Sequence, residues 1–95
     1  MTAYIIVDVE ITDPERYMAY VKQVPATLEP FGGRFIVRGG RAANLEGSWQ
    51  PKRIVVLQFD SVEQANGWWS SEIYREPKAL RQSASITDMI VVEGV

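Results

Sequence analysis

Tyr4 to Ile11 is a mostly apolar run rich in β-branched side chains, alternating with polar residues from Val7 on, which predicts a first strand. The period then changes. Tyr17, Val21, Val24 and Leu28 recur at spacings of four, three and four, with Tyr20 beside them, and together they make the buried stripe of an amphipathic helix. Asp13 stands where an N-cap carboxylate accepts the free N–H groups of the first turn, and Pro14 follows where no N–H is needed. Pro25 falls inside the stripe, so a kink or restart is expected there, and Gly32-Gly33 supplies a left-handed stop. Arg34 to Arg38 reads as a second strand, broken or bent by Gly39-Gly40. A long connection, Arg41 to Lys52, turns at Glu46-Gly47 and leads into a third strand, Arg53 to Phe59. Ser61 caps a second helix, with Gln64 at the capping-box position three residues on, and Val62, Ala65, Trp69 and Ile73 form its stripe. Pro77 interrupts that helix, Ala79 to Gln82 make a short final one, and Thr87 to Glu93 is the fourth strand.

The order strand, helix, strand, strand, helix, strand is the split βαβ, or ferredoxin-like, arrangement. Right-handed crossovers place both helices on one face of a four-stranded antiparallel sheet. The fold class is therefore α+β, in a single domain over residues 1–95. Alternation assigns Ile5, Val7, Val9, Ile11, Phe35, Val37, Val55, Leu57, Phe59, Ile90 and Val92 to the face beneath the helices. The opposite face collects Tyr4, Ile6, Asp8, Arg34, Ile36, Arg38, Ile54, Val56, Gln58, Met89, Val91 and Glu93. About half of that second set is aliphatic, where a solvated face is mostly polar. Two helices cannot cover both faces of one sheet. The expected cover is a second copy of the same sheet across a two-fold axis, a homodimer.

The ordered set of motifs resembles the DUF1330 family (domain of unknown function), within the dimeric α+β barrel superfamily. The resemblance rests on Asp13-Pro14 with Tyr17 and Tyr20, on Gly32-Gly33-Arg34, and on Arg38-Gly39-Gly40. It continues through Leu45-Glu46-Gly47, Trp49, Pro51, Arg53, Val55 and Phe59. It ends with Trp68-Trp69, Ser71, Tyr74, Ala79-Leu80-Arg81 and Val92-Glu93-Gly94. Such proteins often carry one bulky aromatic at the Trp68-Trp69 position, where this chain has two. The resemblance implies a dimeric barrel. It implies no one reaction, because the superfamily holds cofactor-free monooxygenases, lactone isomerases, haem enzymes and barrels without a known reaction.

Composition narrows the chemistry. The chain has no cysteine and no histidine, which removes thiol nucleophiles, thiolate metal sites and the usual neutral-pH base. No carboxylate spacing resembles a calcium loop, so neither a metal nor a cofactor is expected. Gly39-Gly40 and Gly32-Gly33 lack the context of a phosphate loop. Ten basic residues against 12 acidic ones, for a net charge of -2, form no basic stripe and argue against nucleic acid. The opening MTAYIIVDVE has neither a cationic start nor a long apolar run, and no stretch is long enough to span a bilayer; the expectation is a cytoplasmic protein without a membrane partner.

The candidate binding residues are Arg38, Trp49, Trp68, Tyr74, Arg81, Ser83 and Ser85. Arg38 falls with Asp8, Gln58 and Glu93 on the second sheet face, which favours an internal ion pair over a substrate carboxylate and predicts burial in the dimer. Arg81, Ser83 and Ser85 stand either where a pocket between the second helix and the sheet edge would lie or at a surface helix end, where the helix dipole favours an arginine. Trp69 is on the predicted core stripe, whereas Trp68, about 100° round the helix, suits a pocket or an interface. Trp49, a large side chain on the long connection, suits a contact with the partner or a lid. Tyr17 and Tyr20 read as core residues whose hydroxyls reach its rim. The leading reading is a homodimer that binds a small molecule between helices and sheet. The alternatives are a cofactor-free oxygenase or isomerase for a small aromatic or acidic metabolite, and a structural assembly unit.

Overall fold

A computed structural model describes residues 1–95. The elements are β1 (Ala3–Ile11), α1 (Pro14–Leu28), a 3-10 turn (Glu29–Phe31), β2 (Arg34–Arg38), β3 (Ile54–Phe59), α2 (Val62–Trp69), α3 (Glu72–Ala84) and β4 (Ser85–Glu93). The sheet order is β2-β3-β1-β4 and every pairing is antiparallel, which is the ferredoxin-like topology.

Local chemistry explains most of the boundaries. Asp13 accepts the Arg16 backbone N–H and opens α1 with Pro14 in its first turn. The helix runs on through Pro25, so the expected kink gives no separate element. A proline in a helix removes only the one bond its N–H would make, and the turn Glu29–Phe31 and Gly32, at φ 68°, then stop the chain. Ser61 accepts the Gln64 N–H at 3.1 Å. The second helical segment differs from the sequence expectation. It breaks at Ser70-Ser71 and not at Pro77, because the Ser71 hydroxyl caps a new helix by accepting the Tyr74 N–H. Pro77 lies buried within α3.

The two tryptophans exchange the places expected of them. Trp68 is 1% exposed and Trp69 43%. The stripe of α2 is Ala65 and Trp68, and that of α3 is Tyr74, Pro77, Arg81 and Ala84, at spacings of three, four and three. The core lies between the helices and one face of the sheet, where Ile5, Val7, Val9, Val55, Leu57 and Phe59 meet Tyr17, Val24, Leu28, Trp68 and Tyr74.

Two strands do not have the face predicted for them. Ile5 pairs with Val91 and Val7 with Met89, so Met89 and Val91 lie on the helix side and Ile90 and Val92 on the open side. In β2 the register slips between Phe35 and Val37: Phe35 faces Leu57, but Val37 faces Val56 and Arg38 faces Val55. The extra residue, Ile36, is a β-bulge, and it turns Arg38 onto the helix side and Val37 onto the open side. The expected group of Arg38 with Asp8 and Glu93 therefore does not form. Asp8 pairs with Ile54 and Asp88 on the open face, Glu93 pairs with Ala3, and Arg38 is exposed with no carboxylate within ion-pair distance.

The open face carries one continuous apolar row across all four strands, Val37–Val56–Ile6–Ile90. On one side lies the row Arg34–Gln58–Tyr4–Val92, and on the other Ile54–Asp8–Asp88. Ile90 is 59% exposed in the single chain. No helix is long and apolar enough to cross a membrane.

Candidate functional site

The buried stripe of α3 contains an arginine, and the site grows from that anomaly. Tyr74 and Arg81 stand seven residues apart, two helical turns, and so share one face. Arg81 is 5% exposed. Its Nε–H donates to the Tyr74 hydroxyl at 3.2 Å, and the Tyr74 and Tyr20 hydroxyls are 2.7 Å apart. Arginine has five N–H donors; Arg81 makes this one hydrogen bond and no ion pair.

Around this chain the aromatic groups are held tightly. The Trp68 ring lies against Tyr74, with centroids 4.0 Å apart, and against Phe59 at 5.8 Å. The Trp68 indole N–H donates to Thr27 Oγ1 at 3.0 Å, and that hydroxyl donates in turn to the Val24 carbonyl. Trp68 is thus a satisfied core residue that supports Tyr74.

Arg81 and Met89 form part of the wall of two spaces. One is an open groove of about 460 Å³ between α2, α3 and β4, with Asn66, Trp69, Gln82, Ser85 and Thr87 on its sides and Ile5 at its base. The other is a cavity of about 30 Å³ beneath α1, with mostly apolar walls. Its polar lining consists of Tyr17, Tyr20, Arg38, Arg53 and Arg81. Neither space is lined by an aspartate or a glutamate.

Arg53 enters the cavity from the start of β3. Its guanidinium carbon lies 6.0 Å from the centre of the Tyr17 ring, and its Nε is buried without a hydrogen-bond partner. Gly39, at φ 74°, makes room for it: a Cβ there would fall on the Arg53 guanidinium. Arg38 stands at the rim, 4.1 Å from the centre of the Phe35 ring.

Electrostatics keep the proton on Tyr20. Burial, followed by the neighbouring Tyr74, pushes the Tyr20 phenol well above its ordinary value. Both hydroxyls cannot donate to each other. If Tyr74 takes Arg81's N–H and passes its own proton to Tyr20, the Tyr20 O–H is left to donate into the cavity it lines.

The seven sequence candidates divide accordingly. Tyr74, Arg81 and, as structural support, Trp68 come together, and Ser85 joins Arg81 at the groove, where its hydroxyl donates to the Arg81 carbonyl at 2.7 Å. Arg38 reaches the cavity only at its rim. Ser83 faces outward, accepting from Arg16 at 3.0 Å. Trp49, 63% exposed, lies on the open sheet face, with its indole N–H 3.0 Å from Asp8 Oδ2. Pattern reasoning missed Arg53 as a site residue and read Tyr20 as a core residue with its hydroxyl at the rim, not as a member of the site. A signal for the buried arginine was present in the spacing of Tyr74, Pro77, Arg81 and Ala84.

Comparison with known proteins gives a family and a fold. The sequence matches the family described as "Domain of unknown function (DUF1330)" over residues 2–95. A search of curated proteins finds no match. Among solved structures, a protein of unknown function from Rhodopseudomonas palustris is similar with a TM-score of 0.80 at 19% identity, over 99% of this chain and 82% of that one. A dimeric ferredoxin-like protein of unknown function from Jannaschia sp. CCS1 gives 0.73 at 11%, over 99% and 100% of the two chains. SnoaB, a cofactor-independent oxygenase from Streptomyces nogalater, gives 0.68 at 6%, over 99% and 93%. At these identities the likeness is one of fold.

Proposed function

The chain belongs to the DUF1330 family, and from that premise and the geometry we propose that it is a homodimeric binding protein that takes a small molecule into each protomer between the helices and the sheet. One observation carries the binding half of the proposal. Arg81 is 5% exposed, has no carboxylate partner, and sits in the wall shared by groove and cavity. A buried cation without a counter-charge is destabilising, so a chain this small keeps one only where it has a use. The groove's volume of about 460 Å³ lies within the range of small-molecule sites.

The dimer half rests on the apolar row Val37–Val56–Ile6–Ile90, flanked by more polar rows in the manner of an interface core and rim. The similar protein from Jannaschia is itself described as dimeric. Trp49, tied to Asp8 at the edge of this face, would extend the contact.

Binding is favoured over turnover because neither space has a resident base. No carboxylate lines them, the chain has no histidine, and Tyr20 holds its proton. The test is native mass spectrometry of protein purified from its source, with sedimentation of the same sample. The expected result is a species of twice 10.7 kDa carrying a small adduct that Arg81→Met lacks. A monomer at micromolar concentration refutes the dimer, and an adduct that survives Arg81→Met refutes the site.

A further inference from the structure

We propose that the ligand is an anion, a short carboxylate with an apolar body, whose head group is held in the inner cavity by Arg81, Arg53 and the Tyr20 hydroxyl. The proposal rests on the small-molecule reading above and names its chemical class.

Every strong polar group facing the inner cavity is oriented or able to donate. Arg38, Arg53 and Arg81 carry donors alone. Tyr74 accepts the Arg81 Nε–H, and when its own O–H donates to Tyr20 the Tyr20 O–H is the free end at the cavity. The chain as a whole is acidic, with 12 acidic residues to 10 basic, yet three arginines line this cavity, Arg38 at its rim, and no carboxylate does. Among these three the protein supplies a single hydrogen bond, from Arg81 to Tyr74. The Arg53 Nε is buried with no acceptor at all. A guanidinium binds a carboxylate through two parallel N–H bonds, an arrangement that an amide or an alcohol cannot match with charge.

Size and polarity decide the rest of the molecule. The cavity of about 30 Å³ exceeds the space one water needs and suits a small head group. Its other walls, among them Val7, Val21, Val24, Leu57 and Phe35, offer no partner to a second polar group. Any part of the ligand that enters beside the head group is therefore apolar. Arg38, exposed above Phe35, stands at the mouth.

The test is a titration of the full-length protein, followed by melting temperature and by NMR, with butyrate and benzoate and with their neutral amides at constant ionic strength. The acids are expected to raise the melting temperature and the amides to leave it unchanged. Arg81→Met and Arg53→Met should each weaken binding of the acids by at least about tenfold. Arg34→Met, on the open face, should not. Arg53→Met keeps the test in force if Arg81→Met fails to fold. Amides that bind as well as the acids overturn the anion assignment and leave the small-molecule reading standing. Acid binding unchanged in both variants overturns the site named here. No response to either class overturns the proposal together with the reading it rests on.

Discussion

Replacing Arg81 by methionine is expected to stabilise the unliganded protein. A buried guanidinium loses its hydration, a penalty of several kcal/mol per ion even after relaxation. In an ion pair that penalty is offset by a counter-charge, but Arg81 has none. Its one return is the bond from Nε to Tyr74, and a hydrogen bond involving a charged group contributes about 1.5–3 kcal/mol. The Arg81→Met change removes that bond without orphaning Tyr74, whose hydroxyl keeps Tyr20 at 2.7 Å. The flexible thioether fills much of the space of the arginine stem. Because Arg81 borders an open groove, its desolvation is partial, and the balance comes to a gain of about 1–2 kcal/mol. For a domain of this length that is a rise in melting temperature of roughly 4–16 °C. The assay is urea unfolding of both proteins at matched protomer concentrations, since dimerisation makes stability depend on concentration. The denaturant slope should be unchanged and the midpoint higher, while ligand binding is lost. A loss of more than about 1 kcal/mol would refute the reasoning, because it would mean that the guanidinium has a strong partner in the assembled protein.

Other outcomes follow from the same contacts. Tyr74→Phe leaves Arg81 Nε and Tyr20 both without a partner and should cost about 2–4 kcal/mol in chemical denaturation, against about 1 kcal/mol for Tyr20→Phe; equal losses would contradict the chain of donors. Arg38→Met, on an exposed residue with no ion pair, should change stability by no more than about 0.5 kcal/mol in thermal melts, and a larger loss would restore a structural role for this arginine. Asp8 has a pH signature. Burial pushes its carboxyl up, but hydrogen bonds from the Lys52 backbone N–H, the Trp49 indole and the Arg53 backbone N–H outweigh this and hold it below the ordinary 3.8. The folded value is the lower one, so its stabilising effect is complete above 3.8 and is lost as pH falls through the folded value. Trp49→Phe should therefore flatten the acid limb of the stability curve, and superimposable limbs would show that the indole bond does not matter.

The order of elements was legible in the sequence because it depends on local signals. Runs of β-branched residues marked the strands, Asp13-Pro14 and Ser61 the helix starts, and Gly32 and Gly39 the stops, and each of these acts within a few residues of its own position. The excess of aliphatic residues on both sheet faces was equally visible, since it is a count that survives errors of assignment. Which residue faces which side was not always visible. In β4 both Met89-Val91 and Ile90-Val92 are apolar, so polarity offers no contrast, and only the pairing of Ile5 with Val91 and of Val7 with Met89 settles the parity. In β2 one extra residue at Ile36 reverses the side of Arg38, and nothing local announces a bulge whose existence depends on the partner strand. The tryptophans exchanged roles for a similar reason: Trp68 is held by Thr27, 41 residues away in the chain, a contact that no local pattern announces. Tyr74, Arg81 and Ser85 were singled out by the sequence, but the assembly of the candidate site lies in this second category. Tyr20, Arg53 and Arg81 come from α1, from the residue just before β3 and from α3, and only packing of those segments over the sheet brings their donors to one cavity and keeps every carboxylate out of it. Side-chain alternation is a relative quantity, and its absolute sense is set by hydrogen-bonded register between segments far apart in sequence.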